Sequence, residues 1–195
     1  MTEWDSAADR WDDDPIVRLY AGAAFRSLTD RLAALHGSLD GAAVCDFGCG
    51  TGLLTEQIVG PANRVDAIDI SPAMLDVLRS KADRAGWSHV RLLSELPAEP
   101  QGYDLIACSS VLAFVDDYPA TVAALVGHLS PGGLLIHWDW ELDPGEDDPH
   151  GLTREQIQMA LESAGLTDVE VATAFEVEVE GMTISPIVGS GRRAG

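Results

Sequence analysis

The 195-residue sequence is poor in basic residues and has no long hydrophobic run. It carries 12 Lys and Arg residues against 32 Asp and Glu residues, which gives a net charge of −20. Such a surface repels nucleic-acid backbones and anionic membranes, because phosphate groups are bound mainly by Lys and Arg. No apolar stretch approaches the roughly 18 residues that a membrane-spanning helix needs. We therefore expect neither a nucleic acid nor a membrane as partner.

Cysteine is also scarce, and its spacing indicates neither a disulfide framework nor a metal site. There are three cysteines, Cys45, Cys49 and Cys108, and an odd number does not form a complete set of disulfide pairs. No second pair of Cys or His residues follows Cys45 and Cys49 at the spacing of a zinc site. The first residues are acidic and lack the apolar core of a secretion signal. These features predict reduced thiols, no metal and a cytoplasmic protein.

The N-terminal part of the sequence predicts one long helix preceded by an acidic arm. Asp14 and Pro15 are typical of a helix start, Gly37 is typical of a stop, and apolar residues between them recur at helical spacing. The arm before Pro15 holds Trp4 and Trp11 among acidic residues. We expect residues 1–36 to form a lid and residues 37–195 to form a single domain.

From residue 42 onward, short apolar runs alternate with helical patterns. The predicted strands are 42–47, 64–70, 89–93, 103–109 and 134–138. The predicted helices are 53–59, 72–85, 119–129 and 153–164. Alternation of this kind is typical of a doubly wound α/β fold with a mostly parallel sheet. The last two predicted strands, 169–179 and 183–189, have only a short turn between them, so they form an antiparallel hairpin and complete a seven-stranded sheet.

A glycine-rich segment, VCDFGCGTG (44–52), lies where the first predicted strand turns into a helix. Glycine allows positive φ angles and close approach of the backbone to a ligand. Asp69 follows the second strand, where a carboxylate accepts hydrogen bonds from both hydroxyls of a ribose. A dinucleotide would fit these facts, but Leu53 stands where the dinucleotide motif has its third glycine. Asp46 suits a ligand with an amino group better than a pyrophosphate.

Four ordered segments resemble the class I S-adenosylmethionine-dependent methyltransferases. DFGCGTG (46–52) resembles their first motif, and VDAIDISPAML (65–75) resembles their second-strand segment. YDLIACSSVLAFVDD (103–117) resembles the fourth strand and its loop, and LSPGGLLI (129–136) resembles the turn into the fifth strand. The resemblance implies a Rossmann-like methyltransferase fold and S-adenosylmethionine as cofactor.

The resemblance also implies roles for individual residues around that cofactor. Asp46, Gly48 and Gly50 would line the methionine end, and Asp69 would hold the ribose. The residues expected near the adenine are Ile70, Met74, Ser94, Glu95 and Leu96. Ser109, after the fourth strand, would border the sulfonium. Tyr20 or Trp11 would supply an aromatic side chain from the N-terminal part.

The segment after the fifth strand, HWDWELDPGEDDPH (137–150), offers candidates for the methyl acceptor site. Trp138 and Trp140 could form a pocket wall, and Asp139 or Glu141 could orient an amine. His150 could act as a base. The catalytic candidates are Asp139 and His150 from this segment and Tyr20 from the N-terminal part, whereas we expect His137, inside an apolar strand, to be a core residue.

These expectations together describe an enzyme that transfers a methyl group to a small-molecule acceptor by in-line displacement. Two alternatives stay open, a protein methyltransferase that acts on a basic segment and a non-catalytic S-adenosylmethionine-binding protein. A nicotinamide-dependent reductase is a more distant alternative. The sequence is compatible with a monomer or a homodimer.

Overall fold

The computed structural model describes residues 3–142, 151–179 and 181–195, and the chain forms two compact units. The first unit is Met1–Ala98 and the second is Glu99–Gly195. The expected boundary between a lid and a domain at residue 36 stays a prediction. No helix within the described ranges is long and apolar enough to cross a membrane.

The described chain contains nine strands and six α-helices. The strands are β1 (Ala43–Phe47), β2 (Arg64–Ile68), β3 (Val90–Leu93), β4 (Tyr103–Ser109), β5 (Leu129–Asp139), β6 (Leu166–Thr173), β7 (Val177–Val179), β8 (Met182–Ile184) and β9 (Ile187–Arg193). The helices are α1 (Ala8–Trp11), α2 (Pro15–Ala34), α3 (Thr55–Ile58), α4 (Pro72–Ala85), α5 (Tyr118–Gly127) and α6 (Arg154–Ser163). Two 3-10 turns, Glu3–Ser6 and Leu112–Phe114, complete the elements.

Seven of these strands form one mostly parallel sheet, which confirms the predicted α/β fold. Its order is β3-β2-β1-β4-β5-β9-β6. In the first unit, β1, β2 and β3 pair in parallel, and in the second unit β4 and β5 do so. Strand β9 pairs antiparallel with both β5 and β6. The carboxyl ends of parallel strands share one edge of a sheet, which is where open α/β folds bind ligands.

Local capping signals account for the helix bounds in the first unit. The side chain of Asp14 accepts a hydrogen bond from the amide of Ile16 at the start of α2, as predicted. Helix α4 has the predicted bounds, because Ser71 caps its N-terminus and Gly86 takes a left-handed φ of 71° after its end.

The predicted turn at residues 130–133 is wrong, since these residues lie inside strand β5. The pairing of β5 with β4 jumps from Tyr103 opposite Leu129 to Leu105 opposite Leu134, so the extra residues form an irregularity within the strand. A β-bulge of this kind accommodates glycines without ending the ladder.

The C-terminal hairpin is confirmed, but its strands differ from those predicted. The predicted single strand over 169–179 is divided into β6 and β7. Strands β7 and β8 form a separate two-stranded ribbon, and β6 pairs with β9 in the main sheet. Alternation of apolar and acidic residues continues across the break, so it could not reveal where the chain leaves the sheet.

Candidate cofactor site

The glycine-rich loop after β1 is fastened to the end of β2. The amides of Gly48 and Cys49 both donate to the carbonyl oxygen of Ile68, at 2.8 and 3.0 Å. Gly48, Gly50 and Gly52 take positive φ angles of 74°, 53° and 88°. Side chains are disfavoured in this region of φ, so the loop conformation depends on glycine, as predicted.

Two of these glycines serve different purposes. A Cβ atom on Gly52 would lie 2.3 Å from Cδ1 of Leu78, so the absence of a side chain allows helix α4 to pack against the loop. Among the residues that the structure describes, a Cβ atom on Gly50 would meet only Nε1 of Trp11, at 4.0 Å. Gly52 is therefore required for packing within the unit, whereas Gly50 leaves room beside the backbone.

Asp46, on strand β1, is a buried carboxylate with one unused oxygen. Its side chain is 1% exposed, and Oδ2 accepts a hydrogen bond from the hydroxyl of Thr55 at 2.5 Å. Oδ1 is buried and accepts no hydrogen bond from any described residue. Burial raises the pKa of Asp46 from 3.8 to about 6, and the negative charge of Asp69 adds to the shift. A cationic donor such as an ammonium group fits this oxygen, since it would both bond it and favour its charged form.

Asp69, directly after β2, is half-buried and braces the loop. Its Oδ2 accepts a hydrogen bond from the amide of Gly50, and its Oδ1 accepts one from the amide of Ser71, both at 2.8 Å. Burial raises the pKa of this carboxyl, and the charge of Asp5 acts in the same direction. Each carboxylate oxygen can accept a second hydrogen bond, so the side chain retains the capacity to bind a diol.

The N-terminal arm contacts the loop through Asp12 and Trp11. Asp12 accepts a hydrogen bond from the hydroxyl of Thr51 at 2.6 Å and forms an ion pair with Lys81 at 2.6 Å. Lys81 is the only lysine of the chain. Sequence reasoning missed this pair, because nothing in the spacing links an acid in the arm to a lysine on α4. Trp11, one of the two aromatic candidates, lies beside the loop.

A second contact of the arm lies close to Asp69. The hydroxyl of Ser71 donates to Oδ1 of Asp5 at 2.6 Å and accepts from the amide of Met74 at 3.2 Å. The arm is further supported by an edge-to-face contact between Trp4 and Trp11, with ring centroids 6.2 Å apart. Within the first unit, the arm thus contacts the loop through Asp12 and the start of α4 through Asp5, two acidic side chains that the sequence analysis had not assigned.

The residues predicted to surround the adenine differ in exposure. Ile70 is 67% exposed and Met74 is buried. Ser94 and Glu95 are exposed, and Leu96 is half-buried, in the segment after β3. An apolar side chain as exposed as Ile70, next to Asp69, is available to pack against a ligand.

The candidates for the acceptor site are less accessible than expected. Asp139 and Trp138 are fully buried in the second unit, so Trp138 is a core residue and not an exposed pocket wall in this structure. Trp140 is 36% exposed. Tyr20 is buried on α2. His150 lies outside the described residues.

The other polar residues of the second unit that were singled out have clear local roles. Glu141 forms a two-point contact with Arg154, with both N–O distances at 2.8 Å, and this hydrogen bonding lowers the pKa of Glu141. His137 is fully buried and hydrogen-bonded, which confirms the expected core histidine. Ser109 ends strand β4 and is half-buried. Within residues 3–142, 151–179 and 181–195 there is no cluster of three or more metal-binding side chains.

Comparison with known proteins identifies sequence relatives of this chain. The family model described as "Methyltransferase domain" matches residues 45–135. A ubiquinone biosynthesis O-methyltransferase of Xylella fastidiosa (strain M23) is 39% identical over 103 residues, which are 51% of this chain and 42% of that protein. A trans-aconitate 2-methyltransferase of Azoarcus sp. (strain BH72) is 33% identical over 148 residues, which are 74% of this chain and 56% of that protein. The chain spans about half the length of these curated relatives.

Solved structures share the fold. The N-methyltransferase NodS from Bradyrhizobium japonicum WM9, solved in complex with S-adenosyl-L-homocysteine, superposes with a TM-score of 0.72 at 22% identity. The superposition covers 94% of this chain and 90% of NodS. The matched family model, the sequence relatives and the seven-stranded sheet agree with the resemblance in the glycine-rich loop. Together these findings support the resemblance of this chain to the class I S-adenosylmethionine-dependent methyltransferases.

Proposed function

We propose that this protein transfers the methyl group of S-adenosylmethionine to a small-molecule acceptor by in-line displacement. The observation that carries the proposal is the buried Oδ1 of Asp46, which lacks a hydrogen-bond donor in the described chain and lies next to a glycine-rich loop. A buried carboxylate is costly unless it is paired, so this unpaired oxygen supports a cationic ligand. The methionine part of the cofactor carries an ammonium group.

Different residues of the first unit bind different parts of the cofactor. Asp46 binds the ammonium, and the backbone of Gly48 and Gly50 lets the methionine part come close. Asp69 accepts hydrogen bonds from the ribose hydroxyls while it keeps its two backbone contacts. The exposed face of Ile70 packs against the adenine.

The cofactor, when bound, supplies an electrophilic methyl group on a sulfonium, so the protein need not provide a nucleophile. The residues of this chain bind the cofactor and the acceptor, orient them for displacement and exclude water. Trp11 and Asp12 of the arm lie beside the glycine-rich loop, where they shield that side of the site.

A small molecule is the acceptor that fits the charge and the relatives best. The net charge of −20 disfavours a nucleic-acid acceptor. The names of the two relatives, a ubiquinone biosynthesis O-methyltransferase and a trans-aconitate 2-methyltransferase, both point to small acceptors. Cys45, Cys49 and Cys108 are buried thiols, which are typical of a reducing compartment, so we place the reaction in the cytoplasm.

Calorimetry and a product assay test the proposal. The purified chain is titrated with S-adenosylhomocysteine and, separately, with NAD. It is then incubated with radiolabelled S-adenosylmethionine and a panel of catechols, quinols, polycarboxylates and amines, with Arg- and Lys-rich peptides as a separate arm. We expect S-adenosylhomocysteine to bind, NAD not to bind, and label to enter at least one small acceptor.

Each contrary result has a distinct meaning. Label that enters only the basic peptides would show a protein methyltransferase. Cofactor binding without product in any arm would favour a non-catalytic binding protein. Binding of NAD but not of S-adenosylhomocysteine would refute the proposal altogether.

A further inference from the structure

Three buried polar side chains form a continuous hydrogen-bonded chain in the second unit. Nδ1 of His137 lies 2.7 Å from Oδ2 of Asp139, and Nε2 of His137 lies 3.1 Å from the hydroxyl of Tyr118. His137 and Asp139 are fully buried near the end of β5, and Tyr118, at the start of α5, is 7% exposed. Buried polar groups that satisfy one another rigidify their surroundings, because breaking one contact leaves its partner unpaired in a low-dielectric interior.

The second oxygen of Asp139 holds a turn that follows the neighbouring strand. Oδ1 of Asp139 accepts a hydrogen bond from the amide of Ala113 at 3.0 Å. Ala113 lies in the 3-10 turn Leu112–Phe114, three residues after the end of β4. The amide of Ser110, whose φ is 53°, donates to the carbonyl of Trp138 at 2.7 Å. The connection after β4 is therefore tied to β5 at two points.

A glycine on the adjacent strand makes room for this arrangement. Gly189 of β9 pairs directly opposite His137. A Cβ atom on Gly189 would lie 2.5 Å from Nε2 of His137 and 2.4 Å from Cγ2 of Ile157. No side chain fits there while the imidazole occupies its present position. The present position of His137 therefore requires a glycine at residue 189.

We propose that Tyr118, His137 and Asp139 form a positioning network that fixes the turn Leu112–Phe114 for recognition of the methyl acceptor. The inference rests on the proposed function, since it concerns the acceptor of that reaction. Ligands of open α/β sheets bind at the carboxyl ends of the strands, and this turn lies just beyond the end of β4. The turn presents Phe114, an aromatic side chain that is 36% exposed.

The burial of the three residues determines how they act. None of them is open to solvent, so none is placed to contact an acceptor directly in this structure. Asp139 acts through the amide of Ala113, and Tyr118 acts through His137 on Asp139. The network is therefore expected to govern the KM for the acceptor and to change the affinity for the cofactor little. The predicted contacts to the ammonium and the ribose lie in the first unit, and Ser109, the residue expected beside the sulfonium, belongs to β4 and not to the turn.

Two mild substitutions test the network. Tyr118→Phe removes one hydroxyl, and Asp139→Asn keeps an oxygen for the Ala113 amide while it alters the contact with His137. Val122→Ala, one turn further along α5, is the matched control, because it removes buried methyl groups without touching a hydrogen bond of the network. Amide hydrogen exchange of Ala113 is measured by NMR, binding of S-adenosylhomocysteine by calorimetry, and KM and kcat with the acceptor that the panel identifies.

The expected pattern separates positioning from general destabilisation. Exchange at Ala113 should become at least tenfold faster in both network variants than in Val122→Ala. The KM for the acceptor should rise at least fivefold with a smaller change in kcat, and the Kd for S-adenosylhomocysteine should stay within twofold. Partial retention of function in Asp139→Asn relative to Asp139→Ala would further support a positional role.

The contrary outcomes are equally distinct. Exchange at Ala113 no faster than in Val122→Ala would overturn the network itself, and this result does not depend on finding an acceptor. Faster exchange with an unchanged acceptor KM would overturn the role in recognition. If the wild-type chain methylates nothing in the panel, the proposed function fails, and the exchange data still decide whether the turn is held as inferred.

Discussion

As pH rises, the wild type should lose stability that the Asp46→Asn variant does not lose. The buried carboxyl of Asp46 has a pKa of about 6 in the folded chain, against an ordinary value of 3.8. Between these values the folded state retains a proton that the unfolded state has lost, so the free energy of unfolding of the wild type falls as pH rises. Above pH 6 the free energy of unfolding lost through ionisation of Asp46 levels off at about 3 kcal/mol, since one pKa unit corresponds to about 1.4 kcal/mol.

The amide of Asn does not titrate, which makes a comparison at two pH values informative. From pH 5.0 to pH 7.5 the wild type should lose about 1.4 kcal/mol that Asp46→Asn does not lose. A constant cost of burying the amide cancels in this difference. Urea unfolding followed by tryptophan fluorescence measures it, and Asp40→Asn, which changes an exposed carboxylate before β1, is the matched control.

The same substitution should weaken binding of S-adenosylhomocysteine. A hydrogen bond to a charged group contributes about 1.5–3 kcal/mol, so Asp46→Asn should raise the Kd by about 10- to 150-fold at pH 7.5. The wild type should bind about tenfold more weakly at pH 5.0 than at pH 7.5, because ammonium binding then requires loss of a proton from Asp46. A pH-independent stability difference would refute the raised pKa, and an unchanged Kd would refute the contact with the ammonium.

We make three further predictions for substitutions in the first unit. Asp69→Ala should weaken S-adenosylhomocysteine binding by about 1.5–3 kcal/mol in calorimetry, and an unchanged Kd would contradict its ribose role. Gly52→Ala should cost about 1–3 kcal/mol in urea unfolding, since the new Cβ would lie 2.3 Å from Leu78, and Leu78→Ala should relieve part of that cost. Lys81→Met should make amide exchange in the arm up to about fivefold faster by removing its ion pair with Asp12, whereas unchanged exchange would show that this pair does not hold the arm.

Elements with local signals could be predicted from the sequence with good bounds. Helix α4 is bounded by Ser71 and Gly86, both of which act on backbone groups within a few residues. The glycine-rich loop and the position of Asp69 after β2 were predicted from the same kind of local information. Whether the predicted residues bind the cofactor stays a prediction.

Features that depend on distant pairing could not be predicted. The ion pair between Asp12 and Lys81 joins residues 69 positions apart, and no periodicity links them. The residues at 130–133 read as a turn because Pro131, Gly132 and Gly133 are typical of one, yet pairing with β4 keeps them within β5. Pairing with a neighbouring strand outweighs the turn preference of Pro and Gly, because that strand supplies hydrogen bonds on both sides of the irregularity.

The polar residues of β5 illustrate why a chemical role cannot be assigned from residue type alone. Alternation along the strand correctly separates Asp139 from Trp138, because successive side chains point to opposite faces. It does not show that both faces are buried, which is a consequence of covering by other elements. Asp139 lies on the same face of β5 as His137 and pairs with it, and Gly189, opposite His137 in the antiparallel register with β9, leaves room for the imidazole. That register brings together residues 52 positions apart, so the positioning role that we propose for Asp139 depends on contacts that the sequence does not reveal.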